Sequence, residues 1–522
     1  MTKLLRKWLI LSHRYAGIVL SLLVVMWFVT GITMMYVGGM PRLTPELRLE
    51  KLPNLDLGRV RLMPAEAAEA ALVESPGRTL LLSIMGRPAY RFGAGDTTTV
   101  FADTGDVLEG ASVAQSRTIA SRFAGVTEEQ VEHAGTLTKV DQWTLVQSRQ
   151  LPLHKFRVND DVGTELYVSM TTGEVTMVTT RKGRALAWIS TIPHWLYFAA
   201  LRGNQPVWYQ AVVWSSALVM VLAVFGLVLG LVQSRRSSYV GWMRWHHVTG
   251  LVFGVFTVTW AFSGLLSMEP FAWTNARGLE VRRDVFTGGA VDLATFNAMK
   301  PAEWDHLVDG RGIKEIELAR IQDEHFYIVR LAHDPEADKR PERLHQPYYI
   351  TGRAESDRLL VSANTLQIRR DPFSVDSLIG RLRTALPDAP IVEHELLADY
   401  DSYYYSRQRL TPLPVLRVKF ADPGETWFYI DPATSQLLSQ IPRLARVERW
   451  LYNGLHSLDF PFWYDSRPLW DIGMIVLLLG GLASSTIGLV IGFSRVVRGA
   501  RRLVPSRAGE PAPATPLQER DA

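Results

Sequence analysis

Four stretches of this chain are apolar for long enough to cross a bilayer, and they constrain every reading of the rest. They cover residues 15–37, 207–232, 248–268 and 469–493. A hydrocarbon core of ~30 Å needs about 20 residues of helix. A chain that is 47% hydrophobic and 21% charged could be uniformly soluble, but here the apolar residues are concentrated in these four places. The first stretch follows Lys3, Arg6 and Lys7, as a signal peptide would. It is too long for an h-region and lacks a small-residue cleavage site, so it reads as a retained anchor.

Basic residues in short loops set the expected orientation. Lys3, Arg6 and Lys7 precede the first span, Arg235, Arg236 and Arg244 lie between the second and third, and Arg495, Arg498, Arg501 and Arg502 follow the fourth. All three clusters fall on one side, which makes the N- and C-termini cytoplasmic. The expected order is span one in 1–37, an outer domain in 38–206, span two in 207–234, a loop with span three in 235–268, a second outer domain in 269–467, span four in 468–495 and a disordered cytoplasmic tail in 496–522. The formal charge of +4 mostly reflects the cytoplasmic clusters, so no nucleic-acid partner is expected. Cysteine is absent, which excludes disulfides, thiol catalysis, iron–sulfur clusters on cysteine and covalently attached haem. Histidine is left as the main metal ligand.

Histidine also marks an internal repeat. SHRYAGIVLSLLVVMWFVTG from Ser12 resembles RWHHVTGLVFGVFTVTWAFSG from Arg244. An offset of 233 (246 − 13) puts His13 on His246, Gly17 on Gly250, Trp27 on Trp260, Gly31 on Gly264 and Met35 on Met268 without a gap. At 100° per residue these positions form one stripe on each helix. Helix packing through small residues accounts for the glycines. A histidine at a membrane helix end either snorkels to water or marks a cofactor or ion site. Recurrence in register favours axial ligation of a haem iron by His13 and His246, as bundle cores build such sites from facing helices. His247 stands where the first repeat has Arg14, and is the alternative ligand or a neighbour of the site.

The other two spans show a weaker repeat on the outer side. HWLYFAALRGNQPVWYQ from His194 resembles RWLYNGLHSLDFPFWYD from Arg449, with Trp195, Leu196 and Tyr197 on Trp450, Leu451 and Tyr452. In that register His194 falls on Arg449, and His456 falls on Leu201. Seven residues are nearly two helical turns, so His194 and His456 can still face one way and hold a second haem. Interfacial anchoring by Trp188, Trp208, Trp214, Trp463 and Trp470 is the competing reading.

The outer segments read as α+β modules of a helix with antiparallel hairpins. HKFRVNDDVGTELYVSMTTGEV and PVLRVKFADPGETWFYIDPATSQLL share a strand, an acidic Gly turn and a strand, and Gly163 on Gly424 puts Tyr167 on Phe428. His133, His154, His306, His325, His333, His345 and His394 show no metal-ligand spacing. DYDSYYYSRQRL, from Asp399, sets Tyr403, Tyr404 and Tyr405 beside Arg407 and Arg409. Aromatic faces and guanidinium groups suit a planar, anionic metal chelate; core tyrosines of a strand are the other reading.

HRYAG, RWHHVTG, GLHSLDF, the strand ends TGDVL and TGEV, and YIDPATSQLL together resemble the PepSY-associated transmembrane protein family. The resemblance covers nearly the whole chain apart from the tail. It implies an α-helical four-helix transmembrane bundle plus two extracytoplasmic α+β (PepSY-like) domains in the inner membrane. The family includes iron-regulated inner-membrane proteins and a branch of haem-containing ferric-siderophore reductases. Its membrane histidines map onto His13, His246 and His456, while Leu201 stands where the fourth is expected and only His194 can replace it.

The expectation is therefore an inner-membrane protein holding two b-type haems and moving electrons from a cytoplasmic donor or quinol to an extracytoplasmic ferric chelate. No dinucleotide or P-loop fingerprint sits in a strand–turn–helix context, so the donor is a separate molecule. A membrane-tethered module that binds peptides or peptidases, without redox chemistry, is the alternative. The chain has no GxSxG and no HExxH protease signature.

Overall fold

The computed structural model of the chain describes residues 2–37, 39–93, 97–234, 239–274, 278–334, 357–405, 411–464 and 466–503. Arg235, Arg236, His345, Arg407, Arg409 and the tail from 504 lie outside them. Four helices are long and apolar enough to cross a membrane: α1 (Lys3–Met34), α2 (Gln205–Gln233), α3 (Gly241–Leu266) and α4 (Leu469–Leu503). α1 begins twelve residues before the apolar stretch, because Lys and Arg are good helix formers and the basic flank continues the same helix. α4 likewise runs past residue 495 to Leu503.

Contacts group the described chain into two compact units, 2–28 with 218–259 and 476–503, and 29–217 with 260–475. The first unit is a bundle whose helices touch through glycine. Gly17 meets Leu222, Gly230 meets Leu251, Gly481 meets Phe28 and Gly492 meets Ile18. Absence of a Cβ at these positions lets the neighbouring side chain reach the backbone, which is the main source of close packing where lipid removes the hydrophobic drive.

The second unit holds three antiparallel sheets. β4 (Val131–Leu137), β5 (Leu153–Val158), β6 (Glu165–Ser169) and β7 (Val175–Thr179) form a meander. The helix Val113–Ala124 covers it, burying Ala120 against Phe156, Leu166 and Val168. That helix starts at a capping box of Ser112 and Gln115 and stops at Gly125, whose φ of 72° costs glycine little. β11 (Ile391–Leu397), β12 (Val415–Phe420), β13 (Trp427–Asp431) and β14 (Gln436–Ile441) repeat the arrangement under the helix Val375–Ala385, capped by Ser374.

The third sheet is shared by the two long segments between the spans. β1 (Thr79–Ile84), β2 (Arg87–Phe92) and β3 (Thr98–Phe101) come from the first, and β8 (Ile313–Ile321), β9 (Glu324–Leu331) and β10 (Arg358–Ser362) from the second. β1 pairs with β8 from Thr79↔Leu318 to Leu82↔Glu315, so the α+β character is as expected, but the segments are joined through one six-stranded sheet. Leu81, Tyr90, Phe296, Trp304, Ile316 and Tyr327 fill the core on one face of it. The two meanders match at an offset of 262 (429 − 167), which sets Tyr167 on Tyr429 and not on Phe428. Both hydroxyls donate to an aspartate, Tyr167 to Asp141 at 3.0 Å and Tyr429 to Asp401 at 2.8 Å.

Candidate functional site: two pairs of imidazoles

In the bundle, His13 and His246 face each other with ring centroids 6.3 Å apart and planes inclined by 32°. Each ring is held from behind by a neighbouring helix in the same way. The Nδ1 of His13 bonds the carbonyl of Leu222 at 3.1 Å, and the Nδ1 of His246 bonds the carbonyl of Ser484 at 3.1 Å. One turn further on, Gly226 and Gly488 give the rings their room. A Cβ on Gly226 would stand 2.8 Å from His13 Cε1, and one on Gly488 would stand 3.1 Å from His246 Cε1. A carbonyl can only accept, so in both rings Nδ1 carries the proton and Nε2 keeps its lone pair.

The second unit holds a comparable pair, whose Nδ1 atoms face hydroxyls that can accept or donate. His194 and His456 stand with centroids 6.2 Å apart and planes inclined by 76°. The Nδ1 of His194 bonds Thr30 Oγ1 at 2.9 Å, and the Nδ1 of His456 bonds Ser263 Oγ at 3.0 Å. Both hydroxyl residues are buried. A Cβ on Gly264, one of the repeat glycines, would approach His456 Cε1 at 3.9 Å.

The structure replaces the register that set His456 on Leu201. At an offset of 262 (456 − 194) the two histidines coincide, and so do their surroundings. Leu196 and Leu458 both take positive φ, at 52° and 47°. The indole of Trp208 donates to Trp195 O at 2.9 Å, and that of Trp470 to Ser457 O at 3.0 Å. The shared pattern is H-x-L-x-F followed by P-x-W, at 194–208 and 456–470. No histidine is missing; the WLY match at the shorter offset aligned unrelated residues.

His247 lies elsewhere. Its ring packs against Tyr239 at 5.5 Å. Among the outer histidines, His154 is buried between Thr136 and Ala111, with its pKa lowered by burial, and its ring meets His133. These contacts are those of a core histidine.

Tyr403, Tyr404 and Tyr405 are engaged in packing. Tyr404 is buried and stacks on Tyr429 at 4.9 Å, Tyr403 accepts from the indole of Trp450 at 3.1 Å, and Tyr405 donates to Asp459 at 2.8 Å. Asp459 also meets Arg449, whose guanidinium donates to Ser402 O and Asp459 O. The tyrosine segment thus braces the turn that carries His456, a role sequence spacing does not show.

Chemically, His13 and His246 offer two Nε2 lone pairs to one acceptor, and His194 and His456 do the same where Nδ1 donates to its hydroxyl. Two nitrogen–metal bonds of about 2 Å, each continued by about 1 Å to a ring centroid, span ~6 Å, close to both observed separations. Among the described residues no group of three His, Asp or Glu side chains gathers to hold a metal. An ion held by either pair would have to bring its remaining ligands with it, as a haem does. A family model described as a PepSY-associated TM region matches residues 10–495. No curated protein matches the chain.

Proposed function

The chain belongs to the PepSY-associated transmembrane family, and on that premise we propose that this multi-pass membrane protein binds two b-type haems and moves electrons across the inner membrane to a ferric chelate outside. The observation that supports the reading is the duplication of one donor arrangement. Both pairs have imidazoles ~6 Å apart with Nδ1 occupied by an oxygen, and α1 and α3 each carry a residue of both, His13 with Thr30 and His246 with Ser263.

His13 and His246 would hold the inner haem, and His194 and His456 the outer one. Bound haem supplies a one-electron Fe(III)/Fe(II) couple. The protein's part is to fix ring orientation and tautomer through the Leu222 and Ser484 carbonyls and the Thr30 and Ser263 hydroxyls, and to surround the pairs with apolar helix. One electron delivered to an external Fe(III) chelate loosens its hard oxygen ligands and frees Fe(II). With both termini cytoplasmic, the donor is quinol or a cytoplasmic reductase.

Spectroscopy of the detergent-purified full chain tests this. The protein should be red, with a low-spin two-imidazole spectrum on reduction and about two haems per chain. In liposomes containing quinol it should reduce a ferric chelate added outside. A colourless preparation from haem-replete cells would replace the reading with a binding module.

A further inference from the structure

The bundle unit has no acidic residue anywhere in its described part, 2–28, 218–234, 239–259 and 476–503. Among the described residues its arginines therefore find no carboxylate within the unit. Two of them, both half-buried, come near each other at one corner. α1 and α4 run antiparallel: Gly481 meets Phe28, and Gly492 meets Ile18, where a Cβ would lie 3.3 Å from the isoleucine Cγ1. Continuing along the same line, Arg14 comes one turn before Ile18, and Arg495 comes three residues after Gly492. Arg495 is within electrostatic reach of Arg14, Arg498 and His246. The Nε of Arg14 and that of Arg6 are buried without a hydrogen-bond partner.

The corner related by the repeat differs. Gly230 and Leu251 meet there as Gly492 and Ile18 do. At the positions of Arg495 and Arg14 stand Gln233 (495 − 262) and His247 (14 + 233). These are neutral or weakly basic and already engaged: Tyr239 donates its hydroxyl to Gln233 and lays its ring against His247. Among the described residues, the α1–α4 corner thus carries two arginines where the related corner carries Gln233 and His247, with Arg235 and Arg236 lying outside the described residues. Positive-inside topology accounts for basic residues near span ends, but not for a buried Arg14 nitrogen left unbonded next in sequence to the ligand His13. Uncompensated charge there is costly unless an anion is supplied. A haem carries its two carboxylates along one edge and is apolar around the rest.

We propose that Arg14 and Arg495 form a carboxylate clamp that holds the propionate edge of the inner haem at the α1–α4 corner and so fixes which way round it binds. This rests on the haem reading of His13 and His246. Guanidinium suits the task because it stays charged and can bond a carboxylate with two nitrogens.

The test uses the full chain with His194→Ala and His456→Ala, so that only inner pigment remains, in nanodiscs of neutral lipid and of anionic lipid. Haem transfer to excess apomyoglobin is timed for this parent and for the parent carrying Arg14→Gln and Arg495→Gln. The clamp predicts an unchanged two-imidazole spectrum and release about tenfold faster, the size of one charge-assisted bond lost. It also predicts that the parent loaded with haem dimethyl ester, whose carboxylates are blocked, releases pigment as fast as the variant does haem. The ester arm needs no substitution, so it stands if the variant misfolds. Equal release of haem and ester by a red parent overturns the clamp alone. A difference confined to anionic lipid overturns it by assigning the arginines to a lipid headgroup. A colourless parent overturns the haem reading itself, and the clamp with it.

Discussion

His194 and His456 make one set of contacts twice. Each Nδ1 bonds a buried hydroxyl, Thr30 for one and Ser263 for the other, and those hydroxyls are related by the same 233-residue offset (263 − 30) as His13 and His246. Two different offsets, 233 for α1 with α3 and 262 for α2 with α4, therefore converge on one pseudo-twofold arrangement.

This equivalence predicts equal consequences. His194→Ala and His456→Ala should each lower the haem content from about two to about one per chain, with the same residual spectrum, because an axial bond lost from either side removes the site. His13→Ala and His246→Ala should remove the complementary component. His247→Ala should change neither, since its ring lies against Tyr239. Pyridine haemochrome stoichiometry on the purified variants reads all three; pigment loss with His247→Ala matching that with His246→Ala would refute the assignment.

The glycines behind the inner rings give a graded prediction. Alanine at Gly226 puts a Cβ 2.8 Å from His13 Cε1, closer than real contacts allow, whereas alanine at Gly488 puts one at 3.1 Å from His246. Alanine favours helix by about 1 kcal/mol over glycine, so the helices themselves should not suffer. Gly226→Ala should broaden or abolish the inner spectrum, Gly488→Ala should shift it less, and Gly499→Ala, with nothing within 4 Å, should leave it alone. Reduced-minus-oxidised spectra separate the three.

How far the sequence could foresee this depended on the kind of repeat. His13 and His246 lie on uninterrupted helices, so a gapless offset sufficed. His194 and His456 lie in short helices that precede the spans, where the shared physics is a leucine at positive φ and an indole bonding a carbonyl. That physics leaves only H-x-L-x-F and P-x-W behind, and a stronger-looking WLY match at another offset hid it. The joining of β1 to β8 left no trace, because register between distant strands is set by burial on both faces and not by any local pattern. The bracing role of Tyr405 depended equally on which partner, Asp459, the fold brought near.

Acid should weaken the outer unit through Glu174. Burial alone would raise its pKa, but the charges of Arg48 and Arg91, and their hydrogen bonds to its carboxylate, hold it at about 2. A carboxylate depressed in the folded state stabilises it fully above the unfolded value near 4.5, and that contribution is lost as pH falls from there toward about 2. Glu174→Gln should reduce the pH dependence in that window and lower stability at neutral pH by about 3 kcal/mol, because Arg91 loses its carboxylate and Arg48 keeps only Glu315. Thermal unfolding followed from pH 7 to pH 2 checks both; parallel curves for variant and parent below pH 5 would exclude Glu174 as the source.

Thr30 and Ser263 should tune the outer haem without being required for it. A hydrogen bond from Nδ1 to an oxygen makes the imidazole a stronger donor to metal through Nε2, and a stronger donor favours Fe(III) over Fe(II). Thr30→Val and Ser263→Ala remove that acceptor and keep most of the volume. Each should retain a two-imidazole spectrum, raise the outer reduction potential, and weaken haem retention by about tenfold, the low end for loss of a ligand's outer partner. The inner potential should not move, since its acceptors are the Leu222 and Ser484 carbonyls on other helices. The sign carries the argument: if either hydroxyl instead donates to a deprotonated Nδ1, its removal strengthens the imidazole and the outer potential falls. Spectroelectrochemical titration of the two components in each variant distinguishes these outcomes, and no shift in either direction would remove the hydroxyls from the site.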